Sequence, residues 1–235
     1  MSEKSYAPWK DYIPWEHFFG VVGLCSLAAG HIWGLFYTPP ETNMGDVVKI
    51  LFVHVPCAWN SMLVFTIAFF AAFVSLISGR RGADGVLAGA VETGLLLTGL
   101  TLITGSIFAR PTWGYWWTSD PRLNTTAILF LTFIGVLMLR VMVQNSERRA
   151  IWSAVATIIA YVNVPITYMS VRWMRSVHQI QSSPSDVDGP LKLVWRISAL
   201  SILALAIWFI TRRYRIEKAR QIAEAAPPLP EANNA

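Results

Sequence analysis

Charge is scarce in this chain: 14% of its 235 residues are Asp, Glu, Lys or Arg, while 54% are hydrophobic. Soluble domains run nearer about 25% charged and 45–50% apolar, so an ordinary soluble fold is excluded. Cysteine is nearly missing. Cys25 and Cys57 both fall in apolar runs, with no Cys-x-x-Cys and no Cys-x-x-Cys-His, which argues against a thiol oxidoreductase or a c-type cytochrome. The chain has no glycine-rich phosphate loop, so any ATP hydrolysis must come from a partner. Although the net charge is +5, the basic residues do not gather on an amphipathic or soluble segment, and no nucleic-acid partner is expected.

What the chain has is long apolar runs. About 20 apolar residues carry a helix across roughly 30 Å of hydrocarbon, and six runs qualify: 18–37, 50–77, 86–108, 127–143, 150–171 and 193–211. The expected fold class is all-α, a polytopic integral membrane protein of six transmembrane helices. Residues 1–220 form one domain and 221–235, rich in Ala and Pro, a disordered tail. The first run reaches full spanning length without a small-residue cleavage site, so it reads as a retained helix and not a signal peptide. Six spans place both termini on one side. That side collects Lys4, Lys10, Arg80, Arg81, Arg148, Arg149, Arg212, Arg213, Arg215, Lys218 and Arg220, which makes it cytoplasmic by the positive-inside rule.

The opposite side carries the informative residues. A loop over 108–125 contains Trp113-Gly-Tyr-Trp-Trp117, flanked by Arg110 and followed by Asp120 and Arg122. Trp113, Trp116 and Trp117 follow i, i+3, i+4 spacing, so a helical turn gathers the three indoles on one face. Gly114 lets a ligand or backbone approach, and Asp120 suits capping the fourth helix or holding Arg122. His54 lies about a turn inside the second span, where Pro56 bends the helix and Cys57 packs. Pro165 kinks the fifth span, which delivers Arg172, Trp173, Arg175 and His178 to the same side. Two intramembrane groups stand apart. Glu92 is costly unless paired or solvated and reads as a proton relay or, at least as readily, as a contact with a neighbouring helix or another subunit; His31 reads as a ligand or as a helix-to-helix hydrogen bond.

Neutral imidazole is a common iron ligand, and His54 with His178 can take the two axial positions of one haem. Indole faces pack on a porphyrin plane, and Arg110, Arg122, Arg172 or Arg175 can bind its propionates. Taken singly, each feature has a blander explanation. His54 can simply pack at a helix end and His178 sit in a solvated loop; the arginines suit lipid headgroups, and Trp and Tyr collect at membrane interfaces regardless of function. Together on one face they favour b-type haem, bound non-covalently.

The run Trp113-Gly-Tyr-Trp-Trp117 with Asp120-Pro-Arg-Leu123 resembles the tryptophan-rich signature of the haem-handling family of cytochrome c assembly, most closely its cytochrome c maturation C (CcmC) group. The likeness spans all six runs. His54 in His-Val-Pro-x-Ala-Trp and His178 in Ser-Val-x-Trp-x-x-x-x-His-Gln match the family's two histidines, whereas Ser119 stands where the family usually has another Trp. The resemblance implies a haem-handling assembly factor, not an enzyme, in the bacterial inner (plasma) membrane. It would hold haem on the external, periplasmic side through His54, His178, Trp113, Gly114, Trp116, Trp117, Asp120 and Trp173. It also implies delivery to a membrane-anchored chaperone, cytochrome c maturation protein E, with proteins D, A and B as further partners. The alternatives are a haem or small-molecule transporter, which calls for a midplane site in broken helices, and a b-type electron-transfer subunit with buried axial histidines.

Overall fold

The computed structural model describes residues 14–178 and 189–225. They form seven α-helices in chain order: α1 (Pro14–Phe36), α2 (Leu51–Ser78), α3 (Arg81–Trp113), α4 (Pro121–Met142), α5 (Ser146–Tyr161), α6 (Asn163–Trp173) and α7 (Gly189–Ala225), with a 3-10 turn over Asp46–Ile50 leading into α2. No strand occurs among the described residues. Six segments among the described residues are long and apolar enough to cross a membrane, because α5 and α6 together make one of them. The expected all-α, six-span architecture is the one observed.

Local chemistry sets the boundaries. Gly79 (φ 61°) closes α2 and Gly114 (φ 87°) closes α3, both in the left-handed region that a side chain resists. Asp120 and Asn145 cap α4 and α5 through their side chains, as short polar residues do at helix starts. The expected kink in the fifth span appears as a full break at Val162. Pro165 offers no N–H to the carbonyl four residues earlier and its ring crowds that carbonyl, so the helix stops at Tyr161 and restarts.

Without a hydrophobic drive between helices in lipid, close packing relies on small residues. Gly94 seats the Phe65 ring of α2, which stacks in turn on Phe133 of α4. Gly20, Gly23, Gly30 and Gly34 of α1 lie against Trp208, Leu205, Ile197 and Val194 of α7. Both ends of the described chain therefore meet at one end of the bundle, where Arg215 binds Glu16 at 2.8 Å.

That end also contains a buried ion cluster. Arg140 reaches Asp84 at 2.5 Å and Ser153 at 2.7 Å, and Arg149 reaches Glu224 at 2.9 Å and Glu217 at 3.5 Å. Glu92 pairs with Arg213 at 2.6 Å, a contact between α3 and α7. Arg149, counted above among loop charges, is fully buried. The i,i+4 pairs Arg213–Glu217 and Arg220–Glu224 support a helical extension past the apolar run. Helix α7 consequently continues to Ala225, five residues into the stretch expected as a tail, while 226–235 lie outside the described residues.

Candidate functional site

The opposite end of the bundle holds the residues singled out by sequence. His54 sits in the first turns of α2 against α3. Its Nδ1 lies 3.0 Å from the Thr101 carbonyl oxygen and 3.2 Å from Thr104 Oγ1. A carbonyl can only accept, and the Thr104 hydroxyl already donates to the Leu100 carbonyl at 2.6 Å. The proton is therefore on Nδ1, leaving the Nε2 lone pair free. Gly105 makes room for the ring, since a Cβ there would stand 2.8 Å from His54 Cε1.

The tryptophan loop departs from expectation. Helix α3 ends at Trp113, the left-handed Gly114 turns the chain, and the Arg110 guanidinium wraps that turn by hydrogen-bonding the Gly114 carbonyl. The three indoles thus do not share a helical face. Trp113 is half-buried and meets Phe108 edge-on at 5.9 Å and the His178 ring at 5.2 Å. Trp116 and Trp117 lie beyond the turn, 58% and 44% exposed. Ser119, also exposed, accepts a hydrogen bond from Asn124.

Asp120 joins the loop to the second histidine. One carboxylate oxygen accepts from the backbone N–H groups of Arg122 (2.9 Å) and Leu123 (3.3 Å), capping α4, and from His178 Nδ1 (3.1 Å); the other accepts from Val177 N (2.8 Å). Of the two roles expected for it, capping is observed, and holding the Arg122 side chain is replaced by holding His178. With only 3% of its surface exposed, Asp120 is a positioning residue. Burial raises its pKa, but hydrogen bonds from Ser176 and Val177 and the His178 charge outweigh this and leave it below the usual value. His178 is also shifted down, because burial against the charged form exceeds the pull of Asp120. A neutral His178 donating Nδ1–H to a carboxylate again leaves Nε2 free, the arrangement typical of metal-binding histidines.

His54, His178 and Arg122 lie within electrostatic range of one another. Arg122 donates through Nη2 to the Tyr168 carbonyl at 3.1 Å, while its buried Nε–H has no partner among the described residues. Arg172 lies over Tyr168 at 5.9 Å, and Arg172, Trp173 and Arg175 are exposed at the end of α6 and just beyond. No cluster of three or more His, Cys, Asp or Glu that could hold a metal ion occurs among the described residues. Two imidazole nitrogens beside an unsatisfied guanidinium N–H and exposed indoles suit a metal already held in a flat, acidic macrocycle.

The family model described as heme exporter protein C matches residues 3–226. The chain belongs to the heme exporter protein C family. Among its curated relatives, the heme exporter protein C of Haemophilus influenzae is 32% identical over 210 residues, covering 88% of this chain and 85% of that one. The Bradyrhizobium diazoefficiens protein of that name is 38% identical over 173 residues, 72% and 66% of the two chains. For Escherichia coli K12 the figures are 28% over 205 residues, 87% and 82%.

For a heme exporter protein C family member, the unexpected finding is how much of the site lies in α3. Thr101 and Thr104 hold His54 and Gly105 gives its ring room; the sequence suggested Gly105 only as a helix-packing residue and did not single out the threonines. The i, i+3, i+4 spacing of the three on one face of a span, opposite a histidine on the neighbouring helix, was the available signal.

Proposed function

We propose that this multi-pass membrane protein is a haem-handling factor of cytochrome c biogenesis that holds haem between His54 Nε2 and His178 Nε2. The observation that carries the reading is the matched state of the two histidines. Each has its Nδ1 proton committed, one to a backbone carbonyl and one to a carboxylate, and each leaves its Nε2 lone pair available to a ligand. His54 and His178 would supply two nitrogen ligands to the haem iron. Other residues of the chain do the rest: Thr101 and Thr104 orient His54, Asp120 orients His178, and Trp113 backs the His178 ring. The Arg122 Nε–H offers a charge-assisted bond to a propionate, and Arg110, Arg172 and Arg175 supply further positive charge.

In this reading Trp116, Trp117 and Trp173 form an open apolar wall, and Gly114 keeps the turn free of a side chain. An open wall suits cargo that must leave. The site then faces the periplasm of a bacterial inner membrane with both termini cytoplasmic. Haem passes to a membrane-anchored chaperone, cytochrome c maturation protein E, and proteins D, A and B complete the assembly and supply ATP hydrolysis. The protein itself performs no catalysis.

Absorption spectroscopy of haem bound to the purified protein tests the axial pair. The wild type should give a low-spin spectrum with two nitrogen ligands, and His54→Ala and His178→Ala should each convert it to a different coordination state. An unchanged spectrum in both variants would overturn the assignment.

A further inference from the structure

A cavity of about 450 Å³ lies among α1, α2, α3 and α7, within the spanning segments and apart from the two-histidine site. Leu24, Leu96, Leu100 and Phe209 line it while remaining exposed on the flank of the bundle, so it opens toward lipid. Its volume falls in the range of small-molecule sites, about 300–1,000 Å³. No charged residue lines it.

One polar atom in this apolar space is unsatisfied. His31, in the last two turns of α1, places its Nδ1 2.9 Å from the Leu27 carbonyl oxygen. That contact requires the proton on Nδ1 and leaves Nε2 as an acceptor. Nε2 is buried and has no partner among the described residues. The neighbouring Thr93 hydroxyl does not help, because it donates to the Gly89 carbonyl at 2.8 Å. An unmade hydrogen bond at a buried acceptor is costly, and an ionisable residue inside a membrane marks a functional site by default.

The chemistry of the lining selects the occupant. A single water could bridge His31 Nε2 and the Thr93 hydroxyl oxygen, but it would leave the apolar remainder of the cavity unfilled. A lipid acyl chain fills the space and leaves Nε2 bare. Anionic groups, haem propionates included, meet no cation in the lining, and an ammonium meets no anion. What remains is an uncharged, mostly apolar molecule with a hydroxyl to donate. A phenolic hydroxyl, with a pKa of about 10, donates more strongly than an alkyl one.

We infer that this cavity binds a membrane-soluble hydroquinone, whose ring hydroxyl donates a hydrogen bond to His31 Nε2. The inference stands independently of the haem reading, since neither His54 nor His178 lines the cavity.

Calorimetric titration of the full chain in quinone-free lipid nanodiscs tests it, with a decyl-substituted hydroquinone, its dimethyl ether and decanol as probes. The ether keeps the body and lacks the donor. Wild type should bind the hydroquinone about three- to tenfold more tightly than the ether, the worth of one net hydrogen bond, and decanol more weakly than the hydroquinone. His31→Leu should abolish the preference while retaining the ether's affinity, and His31→Gln, which keeps an acceptor, should retain part of it. Ala28→Phe, placed in the cavity wall, should weaken both ring probes. Equal affinity for hydroquinone and ether in the wild type would overturn the proposal, as would a preference surviving in His31→Leu, decanol binding as tightly as the hydroquinone, or no binding of either ring probe. A bound-haem spectrum altered by His31→Leu, with hydroquinone affinity unchanged, would assign the cavity to haem instead.

Discussion

Asp120 holds His178 directly and through its neighbour: its carboxylate accepts from His178 Nδ1 at 3.1 Å and from the backbone N–H of Val177 at 2.8 Å. The residue that starts α4 thereby fixes both the orientation and the tautomer of a histidine 58 positions later. Replacing Asp120 by Ala should lower haem affinity about 10- to 100-fold, the usual cost of losing a hydrogen-bond partner behind a metal ligand. The lost cap should add about 1 kcal/mol of destabilisation. Asp120→Asn keeps a capping oxygen and separates the effects: haem titration should show a loss with little change in thermal unfolding. Wild-type haem affinity in both variants would remove Asp120 from the site.

On the other wall, Gly105→Val should push the His54 ring off the Thr101 carbonyl, because even a Cβ stands 2.8 Å from the imidazole. The expected result is a changed haem spectrum in a protein whose circular dichroism is unchanged. Gly135→Val, on an exposed face of α4 with nothing near its Cβ, is the control and should leave the spectrum alone.

Trp113 and Trp116 should behave differently on replacement by Ala. Trp113 packs on Phe108 and His178, so its loss should lower both thermal stability and haem affinity. Trp116 lies in the open, so Trp116→Ala should lower haem affinity alone. Equal losses of stability in the two variants would contradict the broken-helix geometry at Gly114.

The pH dependence follows from His178, whose pKa in the folded protein lies below its ordinary value of 6.5. A depressed value means that the folded state resists protonation. The contribution of His178 to stability is complete above 6.5 and is lost as pH falls from there toward the folded value. Thermal unfolding temperatures recorded across this window should decline more steeply in wild type than in His178→Gln. Parallel profiles would show that His178 is not shifted.

At the far end, breaking the Asp84–Arg140 pair should be severe. Asp84→Ala leaves Arg140 buried with a weaker set of partners, and the loss of one member of a buried pair typically costs about 3–5 kcal/mol. Asp84→Leu with Arg140→Met, which removes both charges, should cost less than the single change. Unfolding midpoints in detergent measure the difference.

The six spans were legible because hydrocarbon thickness imposes a minimum apolar length that no other feature of the chain reproduces. Their ends were not, since hydropathy is blind to helices that continue into charged sequence, as α7 does through Arg213–Glu217 and Arg220–Glu224. The candidate residues were legible as types, and the structure brings His54, His178 and Arg122 into one neighbourhood, with Trp113 against His178. The indole pattern misled because its 3.6-residue period runs through Gly114, whose left-handed φ ends the helix between Trp113 and Trp116. Thr101 and Thr104 escaped notice because threonines in a span ordinarily satisfy their hydroxyls on the preceding turn. Here they do so and also offer His54 acceptors.

The pairing of α1 with α7 bears on how the molecule is born. The glycine face of α1, from Gly20 to Gly34, finds Trp208, Leu205, Ile197 and Val194 only after all the intervening helices have been made. The helix made first thus has its small-residue face covered by the helix made last, and the pairing of Glu16 with Arg215 fastens the two together.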